Sequence, residues 1–384
     1  MMRSLRATLL ESPASFAAIW PEIASLRRQC SVEEDVLLDP IHFLAATADK
    51  RRASCSVACW DGAKLVGLVF ATQHLGAGLR TGYATGGDSG RGLLICSPED
   101  EVEVIEAAVE RLFLAGIHSL QLRLHPRTFS YPDLPKLQVK FVQAVLPGDV
   151  LELGSNYEQF LGGLGKHTRR NIRYYRRRAL EAGILFDPAV TDEEFLRERR
   201  RLNNISAFPL RPAHLEEIDR VLELHSRRCV MALRSADGRP LALLCGFVRG
   251  SRFYILSQWN DPTMSKFSLS IVLRGYAIEK VIENGCKQLH FMGGSSLSLG
   301  QFCPETQSLS IAIDRRGGFT AVAKRLLAAY CVRSFKTSDE VPSSLKTLAG
   351  GFLPEPLLAR SLTSLSQNRS EAGERSASDA YATH

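Results

Sequence analysis

The stretch 253–292, FYILSQWNDPTMSKFSLSIVLRGYAIEKVIENGCKQLHFM, decides the fold. Its first residues, 253–259, are mostly apolar or aromatic, which favours a strand. Over 268–284 apolar residues recur every three or four positions, which is the spacing of a helix. Gly285 ends that helix, and the apolar residues within 288–292 indicate another strand. The stretch therefore predicts a strand, a loop, a helix and a second strand.

A hairpin precedes this stretch, because Asp237–Gly238 favours a tight turn between apolar runs at 230–235 and 241–249. The same order of elements occurs in the first half of the chain: strands at 56–60 and 65–72 around Asp61–Gly62, a strand at 79–85, a helix from 98 to about 115 ended by Gly116, and a strand at 119–124. One unit thus occurs twice. We expect an α/β protein of two lobes, each a mixed, mainly antiparallel sheet flanked by helices.

The domain organisation follows from this repeat. We expect residues 1–148 to form the first lobe and residues 149–335 the second. The tail at 336–384 is rich in Ser, Pro, Gly, Ala and charged residues, a composition typical of poor order. A helix is predicted over 13–30, and the glycine-rich stretch 86–92 is interpreted as a loop.

Composition excludes several classes of protein. Of 384 residues, 45% are apolar and 23% charged, which is ordinary for a globular chain. The longest apolar run, 241–248, is far shorter than the roughly 20 residues that span a bilayer. The N-terminal apolar stretch ends at Glu11, too early for a secretory signal. Nine scattered cysteines without zinc-ligand spacing indicate a reducing compartment and no metal site. We therefore expect a cytoplasmic protein.

The basic charge of the chain is concentrated in one segment. Residues 166–178 hold seven cations and no acid, which equals the net charge of +7. At helical spacing, four of these cations share one face: Lys166, Arg170, Arg173 and Arg177. The residues Ile172, Tyr175 and Ala179 fall on another face and are expected to anchor the helix. We interpret the cationic face as a binding surface for an anionic part of a substrate, although a solvated helix face explains the pattern equally well.

The loop before the helix at 268–284 is the best candidate for a phosphate site. A helix N-terminus presents unpaired N–H groups and the positive end of the helix dipole. Ser265, Ser268 and Ser270 offer hydroxyl donors there, and Lys266 adds a cation. An ordinary serine-capped helix is the alternative.

Two side chains near this loop are candidates for proton transfer. His290 ends a strand just before a glycine-rich segment, a position from which a histidine acts as a general base near neutral pH. Tyr254 lies in the preceding strand. A structural role is the alternative for both.

Several strings resemble one bacterial family, the GNAT-type acyltransferases grouped with CelD-like proteins of cellulose biosynthesis and related to the FemAB-like peptidoglycan transferases. The strings lie at 149–153, 160–173, 237–242, 253–256 and 290–295. The resemblance covers about residues 5–335. It implies a tandem of GNAT-like folds and direct transfer of an acyl group from acetyl-CoA or another acyl-CoA to an amine, without a covalent enzyme intermediate. The acceptor it implies is a small molecule or a precursor of the cell envelope or of a polysaccharide.

Two other functions remain open at this point. One is a FemAB-like transferase that uses aminoacyl-tRNA, in which the cations of 166–178 contact RNA phosphates. The other is a non-catalytic GNAT scaffold within a biosynthetic complex. Outside the first of these alternatives, nucleic acid is not an expected partner.

Overall fold

The computed structural model describes residues 4–48, 52–76, 79–84, 94–117, 119–124, 138–146, 149–206, 209–292, 297–304 and 306–314, with the single positions 327 and 330. The loop predicted at 86–92 and the tail at 336–384 lie outside the described residues.

Up to residue 146 the described part of the chain contains nine strands and four helices: β1 (Arg6–Leu10), α1 (Pro13–Ala17), α2 (Trp20–Gln29), α3 (Pro40–Thr47), β2 (Arg52–Ser54), β3 (Ser56–Asp61), β4 (Lys64–Val69), β5 (Thr72–Gly76), β6 (Leu79–Ala84), β7 (Leu94–Cys96), α4 (Glu101–Leu114), β8 (Ser119–Leu124) and β9 (Gln138–Leu146). Short 3₁₀ helices occupy Val36–Leu38 and Pro98–Asp100.

The elements that follow are β10 (Val150–Glu152), α5 (Tyr157–Gly163), α6 (Lys166–Glu181), β11 (Leu185–Asp187), α7 (Asp192–Ile205), α8 (Pro212–Glu223), β12 (Arg228–Arg234), β13 (Pro240–Arg249), β14 (Arg252–Asn260), a 3₁₀ helix (Pro262–Phe267), α9 (Leu269–Glu283), β15 (Gln288–His290), α10 (Leu297–Gly300) and β16 (Thr306–Asp314).

The second lobe is built on one sheet with the strand order β10-β15-β14-β13-β12-β11. All its pairs are antiparallel except β14 and β15, which run parallel on either side of α9. Side chains alternate across the sheet. Leu244 and Phe253 pack under α6 and α9, whereas Cys245 and Trp259 pack under α7 and α8. The predicted α/β class, with helices on the faces of mainly antiparallel sheets, is confirmed.

The predicted repeat is present in both lobes. Gly62 and Gly238 adopt positive φ in the two hairpin turns, and Gly116 and Gly285 do so just after α4 and α9. In the first lobe β6 and β8 run parallel on either side of α4, as β14 and β15 do on either side of α9. One difference is that the predicted strand at 65–72 is divided: β4 pairs with β3 and β7, while β5 pairs with β2 and β6.

Strand β16 lies elsewhere than the sequence predicted. The first lobe has two sheets, with the orders β1-β3-β4-β7 and β2-β5-β6-β8-β16-β9. β16 pairs with β8 and β9 in the second of these, although residues 149–335 were expected to form the second lobe. The chain therefore returns to the first lobe after completing the second. An alternating strand pattern shows which face is buried but not which strand lies alongside, so the sequence could not identify this partner.

The helix predicted over 13–30 is two helices. Between α1 and α2 the chain turns at Ala18 and Ile19, and Pro21 stands in the first turn of α2. Proline has no backbone N–H to donate and its ring disfavours the helix before it, so a new helix begins there.

The two lobes meet through charged and aromatic side chains. Asp39, which precedes α3, accepts hydrogen bonds from Arg249 of β13 at 2.6 Å and from Arg27 of α2 at 3.4 Å. His42 of α3 lies with its ring centroid 6.1 Å from that of His225, which follows α8. These contacts place the first lobe against the face of the second sheet that carries α7 and α8.

Candidate active site

In the second lobe, the sheet opens between its two parallel strands, β14 and β15. β14 and β15 pair only over Arg252–Tyr254 and Gln288–His290. The register of β13 against β14 shifts at Gly246, which leaves Leu256 as a bulged residue. Residues 255–260 of β14 continue beyond the end of β15. Ligands of sheets with parallel strands bind beyond the carboxyl ends of those strands, so this opening is the first candidate for a substrate site.

The start of α9 faces this end of the sheet and has no side-chain cap. Ser268, at the N-cap, adopts the left-handed conformation at φ 48° and ψ 51°, and its hydroxyl makes no capping hydrogen bond. The first turn of α9 contains no acidic residue. The N–H groups at this end therefore lack a side-chain acceptor, and the helix dipole leaves the position favourable to an anion.

The four residues predicted to bind a phosphate all lie within this junction. Ser265 and Lys266 are exposed on the 3₁₀ helix, and the Lys266 amine lies 5.1 Å from the centroid of the Phe267 ring. Ser268 and Ser270 are half-buried at the start of α9. The structure thus brings the predicted serines and the lysine together, with Ser268 nearest to the helix start.

Asp261 fixes the beginning of this loop. Its carboxylate accepts hydrogen bonds from the N–H of Thr263 at 3.0 Å and from the hydroxyl of Thr263 at 2.6 Å. The guanidinium of Arg239 donates to it at 2.9 Å. Burial opposes ionisation of Asp261, but these hydrogen bonds and charges outweigh burial and lower its pKa. Asp261 is therefore a structural anion that holds the loop in place.

The two residues predicted for proton transfer stack on each other inside the protein. Tyr254 and His290 are each 1% exposed, with ring centroids 5.1 Å apart. His290 Nδ1 accepts a hydrogen bond from the N–H of Met292 at 3.0 Å, and Nε2 lies 3.4 Å from an Asp149 carboxylate oxygen. Burial raises the pKa of Tyr254. This arrangement leaves neither side chain in contact with the solvent from which a substrate enters.

The basic segment forms the predicted helix, α6, and its anchor face is confirmed. Ile172 and Ala179 are 3% and 1% exposed and pack in the core under α9. The four cations of the predicted binding face, Lys166, Arg170, Arg173 and Arg177, are all exposed. Two of them have partners on the same surface, since Arg173 lies 2.7 Å from Glu158 and Arg177 3.7 Å from Glu181.

A cleft between α6 and α9 is the feature that sequence reasoning missed. The space in and directly above it amounts to ≈490 Å³, and its lining combines an apolar wall that includes Ile172 with four polar side chains: Thr168, Asn171, Ser270 and Arg274. Arg274 donates through Nε to the Gln258 side-chain oxygen at 2.8 Å. One sequence signal for it exists, because Arg274 is the single charged residue between Lys266 and Glu279.

Comparisons with known proteins agree with this architecture. Residues 166–297 match the family model described as an acetyltransferase (GNAT) domain. The second lobe carries a GNAT domain. Such a domain indicates an enzyme of the acyltransferase class. No curated protein matches this chain.

Two solved structures are similar in fold to the whole chain. FemX has 9% identity and a TM-score of 0.50, covering 73% of this chain and 95% of its own. A tandem GNAT protein from the clavulanic acid biosynthesis pathway has 12% identity and a TM-score of 0.50, covering 82% of this chain and 100% of its own. At such identities the likeness shows the fold alone, which in this chain is an arrangement of two lobes.

The cysteines do not add a reactive centre to the GNAT domain. Burial raises the pKa of the Cys245 thiol to about 12, and it does the same for Cys55 and Cys59 in the first lobe. Such thiols stay protonated and are poor nucleophiles or metal ligands. Within the part of the chain that the structure describes, no group of three or more potential metal ligands occurs.

Proposed function

We propose that this GNAT-type acyltransferase transfers an acyl group, in the simplest case acetyl, from acyl-CoA to the amino group of an acceptor. The observation that carries this proposal is the opening between β14 and β15 in front of the uncapped start of α9. A CoA thioester needs a site for its pyrophosphate and a slot for its extended arm. The start of α9 supplies the first and the divergence of the two strands supplies the second.

The reaction needs positioning more than a reactive side chain. The amine nitrogen attacks the thioester carbonyl, a C–N bond forms, the C–S bond breaks, and the CoA thiolate takes up the proton that the amine loses. Backbone N–H groups beside the bulge at Leu256 are suited to stabilise the oxyanion in this step. Holding amine and thioester in contact supplies the rest of the acceleration.

For His290 and Tyr254 we propose a supporting role in place of the predicted catalytic one. Both nitrogens of His290 face protein groups, Met292 and Asp149, so the ring ties the end of β15 to the start of β10. His290→Ala is expected to lower the melting temperature and to lower kcat by less than tenfold. A loss of a hundredfold or more with an unchanged melting temperature would restore the role of general base.

The acceptor and the location belong to the proposal as well. The resemblance to CelD-like proteins favours an amino sugar or another envelope or polysaccharide precursor as the acceptor. We propose a cytoplasmic location, where acyl-CoA is available. Among the described helices, none combines the length and the apolar character that a membrane span requires.

The donor site can be tested by thermal stabilisation with acetyl-CoA. Ser268→Glu places a negative charge at the start of α9, where it repels the pyrophosphate, so stabilisation by acetyl-CoA should disappear. Ser226→Glu, at an exposed turn before β12, adds the same charge elsewhere and should keep the stabilisation. If acetyl-CoA stabilises both variants equally, the donor does not bind at the start of α9.

The transferase that uses aminoacyl-tRNA is the second candidate, and the exposed cations of α6 favour it. In that case Lys166 and Arg170 contact phosphates, and binding of tRNA weakens steeply with salt. The double variant Arg170→Ala with Arg173→Ala distinguishes the candidates. Loss of tRNA binding with intact acetyl-CoA stabilisation would favour RNA, whereas a raised KM for an amine acceptor would place the anionic part of the acceptor on α6.

A further inference from the structure

The cleft between α6 and α9 contains a cation, Arg274, that no carboxylate among the described residues neutralises. The Arg274 guanidinium donates a hydrogen bond to the Gln258 side-chain oxygen, and its Cζ lies 5.9 Å from the centroid of the Phe291 ring. Burial lowers the pKa of Arg274 to about 10, with no opposing contribution from a carboxylate. Arg274 is half-buried at the open cleft, and taking a charge partly out of water without an opposite charge beside it is costly, which indicates that the charge serves a ligand.

A second arginine on the same pair of helices shows the contrast. Arg176 of α6 lies 2.5 Å from the Glu279 carboxylate of α9, and its guanidinium stacks 3.9 Å from the centroid of the Tyr276 ring. The protein thus neutralises one arginine between α6 and α9 with its own carboxylate. Arg274, at the open cleft, has a neutral glutamine in that place.

The remaining walls of the cleft suit an anion attached to an apolar segment. The hydroxyls of Thr168 and Ser270 and the side-chain amide of Asn171 offer hydrogen-bond donors around Arg274. Ile172 and Ile271 line the same space with hydrocarbon. Gly275 lets the two helices approach, since a Cβ there would lie 3.3 Å from Ile172.

We propose that this cleft is a binding site for a phosphate or carboxylate group carried on an apolar segment, with Arg274 as its cation. A guanidinium binds such groups through two parallel hydrogen bonds, which a lysine cannot reproduce. The site adjoins the start of α9, where the donor pyrophosphate is proposed to bind, and the two share Ser270, but its cation lies one turn further along the helix. This proposal rests on the proposed function only for the identity of the substrate that carries the anion.

The first test uses inorganic phosphate and the full chain. At equal ionic strength, phosphate should raise the melting temperature of the wild type above its value in chloride, and Arg274→Gln should lose most of this increase. Without phosphate, Arg274→Gln should melt at the wild-type temperature or higher, because a half-buried charge without a carboxylate beside it has been removed. Arg197→Gln on α7 removes the same charge from an exposed site and should keep the response to phosphate. An equal phosphate response in Arg274→Gln and the wild type would overturn the proposal.

The same measurement separates this site from the donor site. In Ser268→Glu, part of the phosphate response should persist, and adding Arg274→Gln should remove it. This result is expected even if acetyl-CoA does not bind and the proposed function fails. If the response in Ser268→Glu is already absent, phosphate binds only at the start of α9 and the cleft is not an anion site.

The source of the anion is identified in two arms. If the donor carries the anion, Arg274→Gln should bind acetyl-CoA at least about tenfold more weakly than the wild type does. The variant and the wild type should then bind 3′-dephospho-acetyl-CoA with equal affinity. If the acceptor carries it, the KM for glucosamine 6-phosphate should rise about tenfold while that for glucosamine stays unchanged. Arg274→Lys should recover part of either loss. Values within twofold of wild type for all four compounds would overturn the proposal.

Discussion

The helix between the parallel strands β6 and β8 and the helix between β14 and β15 begin in opposite ways. α4 starts with Glu101 and Glu103 in its first turn and follows a 3₁₀ turn that contains Glu99 and Asp100. α9 starts with no acid and follows Lys266. Carboxylates stabilise a helix start and repel other anions, so α4 is closed to a phosphate and α9 is open to one. The repeat therefore has one copy whose helix start carries its own carboxylates and one copy whose helix start carries none.

The buried faces of α4 and α9 also differ in charge. α4 buries an apolar stripe that includes Val104, Ala108 and Leu112, and it packs tightly on its sheet. α9 buries a similar stripe but adds Arg274 beside the cleft. A duplicated unit can thus keep its packing and change its chemistry through a few residues at the helix start and on one flank.

The largest expected effect concerns the contact between the two lobes at Asp39. Burial opposes the charge of Asp39, but the hydrogen bond from Arg249 and the charge of Arg27 outweigh it and lower its pKa. Asp39→Asn leaves two arginines without their acid and should cost about 3–5 kcal/mol in the free energy of unfolding. Denaturant unfolding measures this. If the first lobe is a support for the second, binding of acetyl-CoA should weaken as well.

His42 lies at the same contact between the lobes and should make the folded protein less stable at low pH. Burial, together with nearby His225, lowers the pKa of His42 to about 4, against about 6.5 in the unfolded chain. Between these values the unfolded chain binds the proton and the folded protein does not, so stability is complete above pH 6.5 and falls toward pH 4. The loss should reach about 3 kcal/mol. His42→Gln should flatten this part of the stability profile, and an unchanged profile would contradict the assignment.

Two glycines on matching strands should differ in their tolerance of a methyl group. A Cβ at Gly246 would lie 2.1 Å from the Tyr254 carbonyl oxygen, a backbone atom, whereas a Cβ at Gly67 would lie 2.4 Å from a methyl carbon of Val104. Backbone at the bulge cannot give way as a side chain can. Gly246→Ala should therefore cost about 3 kcal/mol and Gly67→Ala about 1 kcal/mol, with loss of donor binding only in the former. The reverse order in thermal unfolding would refute the comparison.

The smallest effect concerns the acids of α4. Glu101→Gln with Glu103→Gln should lower the free energy of unfolding by about 0.3–1 kcal/mol per residue, because each carboxylate interacts with the helix dipole. Affinity for acetyl-CoA should not change, since the proposed donor site lies at the start of α9 and not at α4. A change in affinity measured by calorimetry would show that the first lobe takes part in donor binding.

Much of the fold could be predicted from the sequence because its signals are local. The Asp–Gly turns, the glycines after α4 and α9 and the spacing of apolar residues act within a few residues of one another. The partner of β16 and the break at Ala18–Ile19 were missed. The first depends on contacts distant in sequence, and the second on a proline within an otherwise helical pattern.

The candidate site was predictable in part for the same reason. The junction of Ser265, Lys266, Ser268 and Ser270 is a local feature, and its order along the chain already implied a helix start. His290 was a reasonable candidate by position, but its burial between Tyr254, Met292 and Asp149 is a property of the assembled sheet. Whether a nitrogen is available to a substrate depends on what fills the space around it.

By itself the sequence determined the duplicated strand and helix unit, the charge of α6 and the difference between the acidic start of α4 and the open start of α9. Each is set by residues adjacent along the chain. Only the tertiary structure decided which cations are neutralised: Arg176 meets Glu279 across two helices, whereas Arg274 meets a neutral glutamine and an open cleft. The energy of a buried charge depends on its distance to an opposite charge and on its access to water, and both arise only when α6, α9 and the sheet are packed together.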